Sequence, residues 1–354
     1  MAEVLLTGYP AFTARTLCRR LLAAGDHVLL LARHRHADEA ARFLAACQGE
    51  GEGEVLVGDI VQMDLGLAGQ EVRRLLSGVE AIYHLAAIHP KSHRAEESRL
   101  VNVDGTRSIL ELALGAGRLQ RFSFFSTALV SGDREGVVLE QELERGQTFR
   151  TLFERTKFEA ERIVRRAAAD IPVSVFRPSL VVGNSQTGEI DPLDDPYQWI
   201  TSYLKLPMEL AVPLPGRGDY PLNIVPVDYV CDAAFHISRD PRGVGRTFHL
   251  TDPNPLPARR VVELLADHGQ RRRPRGSIPA SIARRLVRLP FLDKLGPTRD
   301  LVEQMNQLVI YNTMNTLELL SGTDVRCPPF ESYVANLVAF LQRGDRSEAV
   351  HGAA

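Results

Sequence analysis

The sequence predicts an α/β chain: a doubly wound parallel sheet of the Rossmann type, interrupted by a smaller, discontinuous, mostly helical subdomain. Three observations carry this. Short apolar runs recur through the first half, at residues 4–7, 27–32, 54–58, 81–85, 121–126 and 173–177. Stretches of helical apolar period lie between them, such as 13–24 with Ala14, Leu17, Leu21 and Leu22, and 98–116 with Leu100, Val103, Leu110, Ala113 and Leu114. Strands apolar throughout, alternating with amphipathic helices, suit a sheet covered on both faces. Finally, the first run ends at Gly8 and its helix closes at Gly25, the strand, tight turn and helix that open a Rossmann unit.

A chain of 354 residues accommodates this sheet and one substrate-binding subdomain. Charge is mixed and the formal net charge is -2, so bulk electrostatics give no case for nucleic acid. Cys18, Cys47, Cys231 and Cys327 are scattered without a Cys-x-x-Cys pair or a Cys/His cluster, so free thiols are expected and no metal site. No basic leader and no apolar run of spanning length are present, and a cytoplasmic protein is expected.

Taken in order, the first turn reads Thr7-Gly8-Tyr-Pro-Ala11-Phe12-Thr-Ala14. In a Rossmann unit this turn cradles a pyrophosphate on backbone N–H groups at a helix N-terminus. The second run ends Leu31-Ala32-Arg33-His34-Arg35 with no acidic residue at its tip. Arg there suits a ribose 2′-phosphate, whereas Asp or Glu would bind the 2′-hydroxyl, so NADPH is favoured over NADH. Gly58-Asp59-Ile60 follows the third run, His84-Leu85-Ala86-Ala87 closes the fourth, and Asn102-Val-Asp-Gly-Thr106 lies on the next helix. The fifth run ends Ser126-Thr127-Ala-Leu-Val-Ser131-Gly132, and Phe153-Glu-Arg-Thr-Lys157 opens a further helix. Phe153 and Lys157 are four residues apart, one turn along one helical face.

Together these motifs resemble the extended short-chain dehydrogenase/reductase superfamily. The first turn is similar to its Thr-Gly-x-x-Gly-x-x-Gly, with Ala11 and Ala14 in place of the second and third glycines. Ala14 is a mild change, but at Ala11 a Cβ faces the closest phosphate approach, and a left-handed backbone there would be strained. The resemblance implies that Asp59 and Ile60 meet the adenine, that Leu85, Ala86 and Ala87 floor the ribose and nicotinamide, and that Asn102 supports the active-site backbone. It also implies that Thr127, with Ser126 beside it, bonds the substrate carbonyl. The family's Tyr-x-x-x-Lys pair reads Phe153 and Lys157 here. A phenyl ring has no ionisable proton, so positioned proton transfer is lost, worth about 10²- to 10⁴-fold in rate. Lys157 still presents a cation to the nicotinamide ribose and to a developing oxyanion. Ser131, His89 and Lys91 lie in loops near the strand ends as other proton sources.

The second half carries Arg177-Pro178-Ser179-Leu180-Val181-Val-Gly183-Asn-Ser185-Gln-Thr187-Gly188-Glu-Ile-Asp191. It closely resembles a run of fatty acyl-CoA reductases and of thioester-reductase domains, which release carrier-bound acyl chains. Asp195-Pro-Tyr197 and the stretches around Asp228, His249 and Tyr333 extend the resemblance to about residue 342. It implies that residues 178–181 line the nicotinamide, and that Ser185, Thr187 and Gly188, with Ser131, lie on the substrate side. The substrate would be an acyl thioester, on CoA or on an acyl carrier protein, or a related carbonyl.

Residues 1–182 and 222–252 are accordingly assigned to the Rossmann domain, 183–221 and 253–343 to the substrate subdomain, and 344–354 to a disordered tail. A basic run at 270–275 leads into a helix over 281–295, where Ile282, Leu286 and Leu289 share a face beside Arg284, Arg285 and Arg288. Two other readings stay open. One is a non-catalytic descendant that binds a dinucleotide, an acyl chain or a protein, which Phe153, Ala11 and Ala14 favour. The other is an epimerase or dehydratase, against which the Ser185-x-Thr187-Gly188 loop speaks.

Overall fold

A computed structural model describes all residues except 1, 48, 50, 89–94, 191–199, 202, 205–208, 287–298 and 352–354, and does not define the side chains of 284, 286, 299, 300 and 344–351. The strands of its central sheet are β1 (Glu3–Thr7), β2 (His27–Ala32), β3 (Gly53–Val57), β4 (Ala81–His84), β5 (Arg121–Phe125), β7 (Val173–Pro178) and β11 (Thr247–Leu250). They lie parallel throughout, in the order β11-β7-β5-β4-β1-β2-β3. The chain runs outward from β1 through β2 to β3, then crosses back to β4 on the other side of β1. The crevice between β1 and β4 is therefore the switch point, where doubly wound sheets bind ligands. Register aligns the carboxyl ends, with Thr7 opposite His84 and His84 opposite Phe124, Phe125 opposite Phe176, and Arg177 opposite His249.

Each expected strand forms, and α1 (Phe12–Ala23), α2 (Ala37–Ala46), α3 (Gly69–Gly78), α4 (Ala95–Arg99), α5 (Gly105–Gly115) and α6 (Leu152–Ala167) fall between them. One cluster, with Val4, Leu6, Leu17, Leu21, Phe176 and Phe248, lies on the α1 face. A second, with Leu5, Leu29, Ile82, Ile109, Phe122 and Val164, lies on the α5 and α6 face. Successive residues of β1 feed opposite clusters, the period of two that a strand buried on both sides requires. The helix expected over 98–116 contains a π turn, Leu100–Asp104, between α4 and α5.

A third cluster draws on Val182, Ile200, Leu214 and Leu222 from one stretch and Val261, Leu265, Tyr333 and Leu337 from another. Short parallel strands β9 (Leu214–Pro215) and β12 (Ser277–Ile278) join the same two stretches. Two expectations need correction. Leu319 and Leu320, on the helix Met314–Leu320, pack in the α1-face cluster with Val230 and Phe248, so that part of the 253–343 segment belongs to the central domain's core. The same segment supplies β13 (Val309–Tyr311), which pairs in parallel with β6 (Gly136–Val138). The helix Phe330–His351 runs into the stretch assigned to the tail, of which 352–354 lie outside the described residues. The basic helix forms over Ala280–Leu286, and its remainder, with Arg288 and Leu289, lies outside the described residues, as do His89, Lys91, Asp191, Asp195 and Tyr197. Among the described residues, no helix is long and apolar enough to cross a membrane.

Candidate active site

The cleft is built from the ends of β1, β4, β5 and β7. At the first turn Gly8 has φ +109°, and a Cβ there would stand 2.9 Å from Leu85 Cβ and 3.1 Å from the Ala86 nitrogen. Glycine is thus required where the β1 and β4 loops meet. Ala11 corrects an expectation: its φ is −51° and ψ 142°, so residue 11 never enters the left-handed region and alanine carries no strain. The turn closes instead on the Ala11 N–H donating to the Gly8 carbonyl at 3.0 Å. Helix α1 starts immediately afterwards with no side-chain cap and no acidic residue in its first turn. Its leading N–H groups and positive dipole end therefore remain available to an anion. Tyr9 turns away, packing on Phe43 and His36, while Phe12 and Ala14 are buried. Phe12 thus offers the turn its backbone, not its ring. The residues present fit a bound diphosphate.

At the tips of β2 and β3, Arg33, His34 and Arg35 line a cleft of about 480 Å³ with Gly58 and Asp59. Asp59 accepts the Val61 N–H at 3.2 Å, which shapes the loop, and Ile60 packs against Gly105. Both arginines thus share one cavity with the Asp59 loop expected at the adenine.

Below the β4 loop, a chain of hydrogen bonds fixes the floor. Thr106 donates to the Asn102 carbonyl at 2.7 Å, so it accepts from His84 Nε2 at 3.1 Å. His84 is then the neutral Nε2–H tautomer, and Thr7 donates to its Nδ1 at 2.8 Å. Burial, with Lys157 nearby, holds His84 at about 3, so it stays neutral. Asn102, turned inward by the π turn, accepts the Ile88 N–H at 2.8 Å and donates to the Ile88 carbonyl at 3.1 Å and to Thr156 at 2.9 Å. It is 1% exposed, so its effect is on the Leu85-Ala86-Ala87 loop rather than by contact with a ligand.

Thr151 caps α6 by accepting the Glu154 N–H at 3.1 Å, which sets Phe153 and Lys157 in the first two turns. Phe153 is half-buried; Lys157 is 2% exposed. Lys157 Nζ donates to the Phe125 carbonyl at 2.6 Å, directly before Ser126 and Thr127, and stands 4.5 Å from the centre of the Phe124 ring. Glu161, one turn on, is the nearby carboxylate, but it is engaged by others. It accepts from Ser126 at 2.6 Å, from Arg165 at 2.8 Å and from Arg177 at 2.7 Å. Burial would raise Glu161, yet Arg177, Arg165 and Ser126 outweigh it and keep it ionised. Among the described residues Lys157 is thus a buried amine without an ion pair, and desolvation lowers it to about 7 despite the pull of Glu161. Thr127 accepts the Leu129 N–H at 3.3 Å and points its hydroxyl at the Pro178 carbonyl, 3.4 Å away.

On the substrate side, Ser131 pairs with the Tyr311 hydroxyl at 3.3 Å. Ser179 donates to Asn223 at 2.7 Å, and Leu180 and Val181 are part-exposed on β8 (Leu180–Val182), beside β10 (Ile224–Pro226). Ser185 and Gly188 serve the loop itself. Ser185 donates to Asp228 at 2.5 Å, and a Cβ at Gly188 would strike the Asn336 carbonyl at 2.0 Å. Of that loop's three expected contacts only Thr187 is exposed.

Glu140 and Tyr311, which motif reading missed, form a buried cluster with His249. Arg177 donates to the Glu142 carbonyl at 2.7 Å and contacts His249 Nε2 at 3.2 Å. Glu140 accepts the N–H groups of His249, Asn315 and Thr316, tying 309–320 to the sheet edge. An arginine inside a strand buried along its whole length was the available signal.

The sheet order, the glycine-bearing β1 turn and the lysine helix define a nicotinamide-dinucleotide reductase scaffold of the extended short-chain dehydrogenase/reductase class, in its thioester-reductase-like branch. The chain belongs to the family described as male sterility protein, whose model matches residues 6–234. It is 27% identical over 291 residues to glycine betaine reductase ATRR of Emericella nidulans, covering 75% of this chain and 22% of that protein. To the NRPS-like oxidoreductase fscA of Fusarium equiseti it is 26% identical over 216 residues, 58% of this chain and 20% of that protein. The chain thus spans less than a quarter of the length of these relatives. Among solved structures, the terminal R domain from the myxalamid PKS-NRPS biosynthetic pathway superposes with a TM-score of 0.81 at 26% identity, over 97% of this chain and 91% of that one. A thiolation-reductase di-domain from an archaeal non-ribosomal peptide synthetase shares the fold, with a TM-score of 0.75 at 16% identity, over 98% of this chain and 76% of that one.

Proposed function

We propose that this chain is an NADPH-dependent reductase of acyl thioesters, the acyl group being carried on CoA or on a carrier protein. The observation that carries this is Lys157, a basic side chain buried without an ion pair among the described residues, at the strand end that also bears Thr127. Such a charge costs stability, and a site that keeps it is a candidate for chemistry. In this reading the α1 N-terminus and Gly8 receive the diphosphate, while Arg33 and Arg35 receive the 2′-phosphate. NADPH supplies the hydride. Thr127 turns its hydroxyl from the Pro178 carbonyl to the thioester oxygen, and Lys157 stabilises the negative charge that develops there. Glu161, held by Arg177, keeps Ser126 and hence Thr127 in place. The thioester is supported by relatives described as a terminal R domain and a thiolation-reductase di-domain.

The test is calorimetric titration with NADPH and NADH. Saturable binding, tighter for NADPH, is expected; no binding of either removes the reductase. Phe153 favours a second reading, a non-catalytic descendant, which predicts dinucleotide binding without turnover.

A further inference from the structure

The geometry points to a reductase that stops at the aldehyde, consuming one NADPH for each thioester; this rests on the thioester-reductase reading above. The starting point is an inventory of protons around the reacting carbon. At residue 153 the side chain is a half-buried phenyl. Ser126 gives its proton to Glu161 and Ser131 is paired with Tyr311, while Thr127, once turned from the Pro178 carbonyl, gives the substrate oxygen a hydrogen bond from a hydroxyl far too weakly acidic to ionise. Lys157 lies one helical turn from Phe153 with Nζ held 2.6 Å from the Phe125 carbonyl. Its part in the reading above is to stabilise charge at the substrate oxygen. Among the described residues, the groups that stabilise an oxyanion are thus in place, and residue 153 carries no hydroxyl to hand it a proton.

Thioester and aldehyde reduction differ in their need for that proton. In the first, hydride adds to the carbonyl carbon and the C=O electron pair moves onto oxygen. The C=O bond then re-forms, the C–S bond breaks, and the pair leaves on sulfur. A thiol of pKa about 8.5 is an acceptable leaving anion and takes its proton from water. The balance is thioester, NADPH and one proton giving aldehyde, thiol and NADP⁺, with no proton needed at oxygen. In the second, hydride adds to the aldehyde and leaves an alkoxide with no group to expel. It must be protonated at oxygen or return the hydride. The cost of Phe153, about 10²- to 10⁴-fold, therefore falls on the second reduction and largely spares the first.

The experiment supplies decanoyl-CoA, and separately decanal, to the wild-type chain and to Phe153→Tyr with NADPH, following cofactor oxidation, free thiol and products. Wild type is expected to oxidise one NADPH per CoA released and to yield decanal. Phe153→Tyr is expected to raise decanal turnover about 10²- to 10⁴-fold while changing decanoyl-CoA turnover less than about tenfold. Two NADPH per CoA with decanol from wild type would overturn the inference, whether or not the variant folds; so would equal acceleration of both substrates by the variant. No turnover of either substrate by either protein would overturn the thioester-reductase reading with it.

Discussion

Replacing Lys157 by methionine removes a charge from a site whose described residues give it one carbonyl and no carboxylate. Burial lowers Lys157 from 10.5 to about 7, so the unfolded chain binds a proton there more tightly than the folded one. The sign follows: where only the unfolded state holds the proton, stability rises with pH, here from about 7 to about 10.5. At neutral pH the penalty is about 4 kcal/mol, and by pH 10 it falls below about 1 kcal/mol. Methionine avoids this penalty but leaves the Phe125 carbonyl unpartnered, at about 1–3 kcal/mol. Lys157→Met should therefore be more stable than wild type at pH 7 by about 1–3 kcal/mol, and the advantage should vanish or reverse at pH 10. The assay is urea unfolding of both proteins at pH 7 and pH 10, in which other titrating groups cancel. Thioester reduction should fall about 10²- to 10³-fold in the same variant. A variant less stable than wild type at pH 7 would refute the reasoning, because the ammonium would then be compensated by its surroundings.

Other outcomes follow from the same geometry. Arg33→Ala with Arg35→Ala should weaken NADPH about 10- to 100-fold, the value of one or two charge-assisted hydrogen bonds, and leave NADH unchanged in the same titration. Gly8→Ala, forced to φ +109° against Leu85, should abolish saturable binding of either dinucleotide and lower the urea midpoint. Glu161→Gln strips the buried Arg177 of its carboxylate and should cost about 3–5 kcal/mol by urea unfolding. His84 and His249 are both held at about 3 by burial, so stability should fall as pH drops from about 6.5 towards 3. The unfolded chain gains those protons first, giving up to about 2.7 kcal/mol per pH unit in unfolding experiments.

The central sheet was legible because its strands are apolar on both faces and separated by amphipathic helices, a pattern written locally. Thr127 and Lys157 were nominated for the same reason, since they sit in short contiguous motifs, and the fold brings the Lys157 amine to the Phe125 carbonyl, two residues before Thr127. Ala11 misled because a glycine position was taken to imply left-handed backbone, whereas the turn is closed by an ordinary φ at residue 11. Ser185 and Gly188, expected on the substrate side, also attach their loop to Asp228 and Asn336, a long-range tie that the motif does not reveal. The contact of Arg177 with His249, and the pairing of β6 with β13, join residues more than 70 positions apart in the chain. Strands of three residues carry no period to read, and a buried ion pair is invisible until both partners are placed.

The central claim is that the cleft delivers hydride to a thioester carbonyl. Its most direct test is a single turnover with decanoyl-CoA and NADPH carrying deuterium at the transferable nicotinamide position. Deuterium on the carbonyl carbon of released decanal is the result expected. NADPH that binds saturably but passes no deuterium to any product would contradict the claim and leave a dinucleotide-binding protein without reductase chemistry.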